Sequence, residues 1–293
     1  MSGMGGKHGR WQEHPTDTLR VGAGFDLGAF DPTARPGFAG SRKDAARLMS
    51  SRGRELADLQ EQLFAEARSG GSRSLLLVLQ GMDTAGKGGI VRHVLGMVDP
   101  QGVQARGFAA PSPQEREHHF LWRIDKALPA AGRIGAFDRS HYEDVLIARV
   151  HSLVPESVWA GRYDEINEWE ARVSRQGTTI VKCALMVSRD EQLERLSKRL
   201  DRPDKHWKFD PSDLDERAHW PAYMEAYQAV FDRTSTDVAP WHVVPATDKW
   251  YARLAVTELL ATALEGMELS WPQATFDVAA QKARLERMRE AGE

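Results

Sequence analysis

The chain has 293 residues, 42 acidic and 39 basic, for a formal charge of −3. That length holds one large α/β domain or two small ones with a substantial core, and the near balance of charge offers no global field for a nucleic acid, so a polyanion must be met by local clusters. The single cysteine, Cys183, sits in the apolar run TTIVKCALMV and reads as a buried thiol of a reducing cytoplasm, while the absence of any apolar run near ~18 residues or behind MSGMGGKHGR argues against a membrane span or export.

In chain order, residues 1–40 are rich in Gly, Pro and Asp and read as an extended N-terminal arm. From 41 to 69, Leu48, Leu56, Leu59 and Leu63 recur at near-helical spacing before Gly70 and Gly71, which predicts a core-packing helix. Five short apolar runs follow, separated by helical patterns: SLLLVLQ, GVQARGFA, RIGAFD, TTIVKCALMV and WHVVPA. This alternation predicts an α/β fold with a five-stranded parallel sheet covered by helices, and such sheets bind ligands at the carboxyl ends of their strands. Residues 248–266 read as a closing helix. The domain is taken as 41–270, with 271–293 as a charged helical tail, solvated by expectation.

After the first strand, GMDTAGKGG nearly spells the phosphate-binding pattern GxxxxGK[ST]. Gly81, Gly86 and Lys87 fit, but Gly88 has no hydroxyl for a metal ion. A strand, glycine turn and helix present backbone N–H groups to an anion while Lys87 adds a point charge, and Gly88 with Gly89 lets phosphates approach closely. Asp83 and Asp138, the latter ending the third strand in the position of a Walker B carboxylate, are two oxygen donors able to replace the hydroxyl. Each also has a plainer reading, as a cap of the adjoining turn or helix.

The run 195–208 carries Arg195, Lys198, Arg199, Arg202, Lys205 and Lys208 against Asp201 and Asp204. It reads either as a solvated face or, given Pro203 and a tryptophan among lysines, as a lid over phosphates spanning about 195–220. Arg92, Arg106, Arg116 and Arg123 are candidates to extend a positive lining. His118, His119 and His141 fit no standard zinc spacing, and Trp122, Trp159, Trp169 and Trp220 read first as packing residues.

Together GMDTAGKGG, FDRSHYEDVL and RLDRPDKHWKF resemble the polyphosphate kinase 2 family, and the likeness extends through FDLGAFDPTARPGFAG, FAAPSPQEREHHFLWR and TSTDVAPWHVVPATDKWYARL, from about 19 to 266. A hydroxyl-free GxDxxGKGG loop is itself typical of that family. The resemblance implies a P-loop kinase fold, thymidylate-kinase-like, with a helical lid. It also implies Mg²⁺-dependent transfer, or Mn²⁺-dependent in its place, of a phosphoryl group between inorganic polyphosphate and AMP or ADP, making ADP and ATP, by a homodimer or homotetramer. Carried over by position, it assigns catalysis to Asp83, Lys87, Asp138, Arg139 and Arg199, the metal to Asp83 and Asp138, and phosphate binding to Gly86, Lys87, Gly88, Gly89, Lys205 and Lys208. Arg202 and Asp210 depart from the family's lid pattern, where an aspartate and a serine are expected. HYEDVL looks like the subgroup accepting both AMP and ADP, which points to Glu143 and Asp144 as acceptor-side residues. An ATP-dependent nucleoside monophosphate kinase and a silent nucleotide-binding scaffold are the competing readings.

Overall fold

Each of the five apolar runs forms one strand of a single parallel sheet in the computed structural model, which describes residues 10–292. Residues 1–9 of the expected arm and residue 293 of the expected tail lie outside the described residues. In chain order the main elements are α1 (Arg42–Arg68), β1 (Ser74–Gln80), α2 (Lys87–His93), β2 (Val103–Gly107) and β3 (Ile134–Asp138). There follow α3 (Glu156–Arg175), β4 (Thr178–Met186), α4 (Arg189–Leu200), α5 (Trp220–Thr234), β5 (Trp241–Pro245), α6 (Lys249–Glu265) and α7 (Val278–Ala291).

The strand order is β2-β3-β1-β4-β5. The chain leaves β1 toward β2 and leaves β3 toward β4, so these adjacent strands are where the connections diverge. The crevice beyond their carboxyl ends is the topological position for a ligand. Register places Leu79 of β1 beside Asp138 of β3, bringing the phosphate loop and the acidic strand end to one level.

Every residue of β1 is buried, and alternate side chains serve opposite faces. Leu75, Leu77 and Leu79 join a core completed by α1 and α6, whereas Leu76 and Val78 join a second core under α3 and α5. α1 begins at Ser41, whose side chain accepts from the Asp44 N–H while the Asp44 carboxylate accepts from Ser41 N–H, a reciprocal cap that fixes where this helix starts. A buried ion pair lies beside the second core: Lys182 Nζ donates to Glu170 Oε2, Tyr142 Oη and Thr234 O, each at 2.7 Å. Full pairing is what makes that burial tolerable.

Residues 19–21 run antiparallel beside the β5 edge, with Val21 N–H donating to Trp241 O and Val243 N–H to Leu19 O, both at 2.9 Å. Trp11 packs edge-on against Phe38 and Tyr251, and its Nε1–H donates to Glu258. α7 has no buried residue. Cys183 is fully buried on the α1/α6 side, and burial pushes its thiol up. No helix among the described residues is long and apolar enough to cross a membrane.

Candidate active site

The loop after β1 depends on backbone conformations that ordinary side chains avoid. Gly81 has φ 147°, and a Cβ there would lie 2.5 Å from Leu185 O on the neighbouring strand. Thr84 (φ 68°) and Gly86 (φ 117°) turn the chain into α2. A non-glycine residue held at positive φ costs of order 1 kcal/mol or more and persists where surrounding contacts enforce it. Lys87 opens the helix, is 8% exposed, and folds back so that Nζ donates to Gly81 O at 2.7 Å. The loop thus wraps its own ammonium.

At the end of β3 the same economy recurs. Arg139 has φ 61° and its N–H donates to Leu79 O at 3.0 Å, which turns the side chain toward the loop. Its guanidinium meets Asp83 Oδ1 at 2.6 Å. Burial alone would raise the Asp83 carboxyl, but Lys87, Arg139 and Arg199 outweigh it and hold the group below the usual carboxylate range. Burial likewise lowers the Lys87 ammonium, against the pull of Asp83, Asp138 and Glu143. Asp138 makes no side-chain hydrogen bond or ion pair among the described residues. Gly88 keeps the space before it open: a Cβ there would lie 4.0 Å from Asp138 Oδ2.

Glu143 sits behind this centre. Burial raises its carboxyl although Arg139 and Lys87 oppose the shift, and the Gln80 amide, oriented nitrogen-first, donates to Oε1 at 3.0 Å. Its neighbour Asp144 turns away: it pairs with Arg162 Nη1 at 3.1 Å and approaches Arg123 at 4.0 Å, outside the cavity lined by the loop.

The lid follows α4. Arg199 Nη1 donates to Lys208 O at 3.1 Å and meets Asp213 at 3.3 Å, tying α4 to the short helix Ser212–Glu216. Of the two positions that depart from the lid pattern, Arg202 forks onto Asp204 at 3.1 and 2.9 Å, and Asp210 accepts from Ser212 N–H and Oγ–H. Lys205 also meets Asp204, at 2.9 Å, while the Lys208 ammonium stands 4.7 Å from the ring of the 77%-exposed Trp207.

A cavity of about 830 Å³ joins these parts, lined by Asp83, Gly86–Gly89 of the loop, Asp138, Arg139, Arg199, Lys205 and Lys208. Its far wall was not foreseen: Lys249 and Arg253, on one face of α6 by their i, i+4 spacing, stand with Arg92 and His93. Arg92, Lys249 and Arg253 form no ion pair among the described residues. Burial lowers the Lys249 ammonium, with Arg195 and Arg253 adding to it, and lowers the Arg253 guanidinium beside Arg42; His93 is lowered by burial and by Arg253 and Arg92. Like charges gathered without counterions make a seat for an anion. Of the other arginines flagged above, Arg116 donates to Pro111 O and Arg123 to Ala109 O, and Arg106 lies over Phe108, none lining this cavity. His141 is buried against Glu170, His119 pairs with Glu165, and His118 stacks on Trp122.

Among the described residues no group of three or more His, Cys, Asp or Glu could hold a metal ion unaided. A magnesium ion commonly takes only one or two carboxylates, with substrate phosphates and water supplying the remaining oxygens. Unpartnered Asp138, with Asp83 contributing the oxygen that Arg139 leaves, fits that donor set.

A family model for polyphosphate kinase 2 matches residues 40–272. Across 262 residues the chain is 43% identical to an AMP/ADP-polyphosphate phosphotransferase of Meiothermus ruber, covering 89% of this chain and 96% of that one. It is 42% identical to an ADP-polyphosphate phosphotransferase of Rhodopseudomonas palustris, covering 94% and 97%. The crystal structure of polyphosphate kinase 2 from Arthrobacter aurescens superposes with a TM-score of 0.92 at 54% identity, covering 94% of this chain and 98% of that one.

Proposed function

The chain belongs to the polyphosphate kinase 2 family, and from that premise we propose that it transfers phosphoryl groups between inorganic polyphosphate and AMP or ADP, yielding ADP and ATP. The observation that carries this reading is the continuity of one cavity from the Asp83/Asp138 centre to cations that lack partners, Arg92, Lys249 and Arg253. A short wall of cations would suffice for a nucleotide; this one continues past the loop, as a chain of phosphates requires. Neither an ATP donor nor a silent scaffold is favoured by the relatives.

In the forward direction a phosphate oxygen of the acceptor forms a bond to the terminal phosphorus of polyphosphate. The bridging P–O bond breaks, and the shortened chain leaves with the electron pair. The attacking phosphate has a second pKa near ~6 and is largely ionised at neutral pH, so no strong base is needed. The protein's work is alignment and neutralisation, shared by Lys87, Arg139 and Arg199 around the moving group. Members of this family are metal-dependent; here Asp83 and Asp138 would hold the ion, for which we propose Mg²⁺ and which would draw negative charge from the phosphate oxygens. Glu143, buried behind Arg139 and outside the lining of the cavity, would bear on acceptor choice through the charge it presents to Arg139 and Lys87. A cytoplasmic setting accords with the buried thiol. Assembly as a homodimer or homotetramer is read from the resemblance and is decided by light scattering.

The reading is tested by supplying purified protein with Mg²⁺, polyphosphate and AMP or ADP and following ADP and ATP. Both products are expected, with ATP a much poorer donor than polyphosphate; the reverse preference would sink the proposal. In the same assay Glu143→Gln should change the ratio of AMP to ADP use, and an equal loss on both would move acceptor choice elsewhere.

The lid gives a second expectation. Lys205→Ala with Lys208→Ala should raise the KM for polyphosphate by about 3- to 10-fold, since exposed ion contacts are each worth under ~1 kcal/mol. Screening acts within about 8 Å at physiological ionic strength. The gap between wild type and double variant should therefore narrow as salt rises; equal KM values at low salt would show the lysines to be solvated.

A further inference from the structure

Arg195 belongs by sequence to the basic lid run, yet it is 5% exposed and faces inward from α4. All five of its N–H donors are engaged. Nε donates to Glu191 Oε1 at 2.7 Å. Nη1 donates to Thr84 O at 3.0 Å and Ala85 O at 3.1 Å, and Nη2 to Ala246 O at 2.6 Å and Thr247 O at 3.0 Å. The four carbonyls belong to two loops, one after β1 and one after β5, whose strands are separated by β4 and do not pair. A guanidinium has five donors in a fixed fork, whereas an ammonium has three on one point, so no other side chain can make this junction.

We infer that Arg195 is a positioning residue that sets the spacing of the two loops flanking the phosphate cavity and aims the Gly86 N–H. Every peptide described is trans, so a carbonyl directed at Arg195 sends the N–H of the same unit the opposite way. The Ala85 carbonyl therefore fixes the Gly86 N–H, which takes no partner among the described residues while Gly86 lines the cavity. Thr84 needs the same restraint: its φ is 68° and its Oγ1 is buried without a partner, so the loop conformation is not self-sustaining. On the far side the clamp sets Ala246 and Thr247 just before Lys249, at the start of the cationic wall. One helical turn on, α4 carries Arg199. Arg195 thus joins the loop, the start of the wall and the lid helix, while Gln192 Nε2, on the same helix, ties only the loop, donating to Asp83 O at 3.2 Å.

As to catalysis this inference rests on the phosphoryl-transfer reading above, and the test separates the two. In Arg195→Lys, kcat should fall about 10- to 100-fold, the scale of a ~1 Å misplacement of reacting groups. The KM for AMP or ADP should stay within a small factor, and the melting temperature should remain above the assay temperature. In Arg195→Ala, millimolar guanidinium should restore part of kcat and methylammonium should not. Hydrogen exchange read on residues 81–89 of the unliganded protein should quicken in Arg195→Lys whether or not transfer is seen. Wild-type kcat in the lysine variant, no guanidinium rescue, or unchanged exchange over 81–89 would each overturn the assignment. An inactive wild type with quickened exchange in the variant would overturn the functional reading and leave the loop clamp standing.

Discussion

Lys87→Ala is expected to lower kcat by about 10²- to 10³-fold, the usual loss when a group aimed at developing charge is removed. Lys87 opens the helix that follows the loop, its ammonium folded against Gly81 O and within the electrostatic reach of Asp83 and Asp138. In the unliganded state it donates to Gly81 O, so binding of phosphate exchanges a carbonyl partner for an anionic one, which strengthens the contact. The variant should still fold. Burial disfavours this ammonium, so the native residue gives up some stability to be there, and its removal leaves the Gly81 carbonyl without this one donor but breaks no ion pair. Circular dichroism and a melting curve within a few degrees of wild type would establish the fold. Near-normal kcat in that folded variant would remove the loop from the mechanism.

Asp138→Asn should cost at least as much, and for a separable reason. The carboxylate makes no hydrogen bond or ion pair among the described residues, so the isosteric amide breaks no contact and stability should be unchanged. Asparagine keeps an oxygen donor but loses the charge that a hard divalent cation prefers. We expect kcat down by about 10³-fold at working metal concentration, on the scale of lost transition-state charge stabilisation, with partial recovery as the metal is raised. Isothermal titration of the metal–nucleotide complex should show the weakened affinity directly. Full activity across the metal series would return Asp138 to the plainer role of ending its strand.

Much of this architecture can be read from local pattern because local physics decides it. β1 is a continuous apolar run since both faces are covered, and its glycine-rich exit is visible because Gly81 and Gly86 occupy conformations that exclude other residues. What escaped was whatever a neighbouring residue's direction decides. Glu143 and Asp144 are adjacent and chemically alike, yet the tight turn His141–Asp144 sends one toward Arg139 and the other toward Arg162. Arg195 and Arg199 are both basic and share one helix, but the first ends on backbone carbonyls, which carry no side-chain signature. The Lys249/Arg253 wall is more than 150 positions from the loop it faces, and only the i, i+4 spacing beside the last strand's carboxyl end hinted at it.

The central claim is transfer from polyphosphate without loss to water, and phosphorus NMR of one mixture tests it most directly. Protein, Mg²⁺, polyphosphate and ADP are followed together until change stops. The account predicts that each ATP formed removes one phosphoanhydride from the chain and that orthophosphate stays at its starting level. Orthophosphate accumulating in place of ATP, or a polyphosphate signal that never shortens while the folded protein is present, would contradict it.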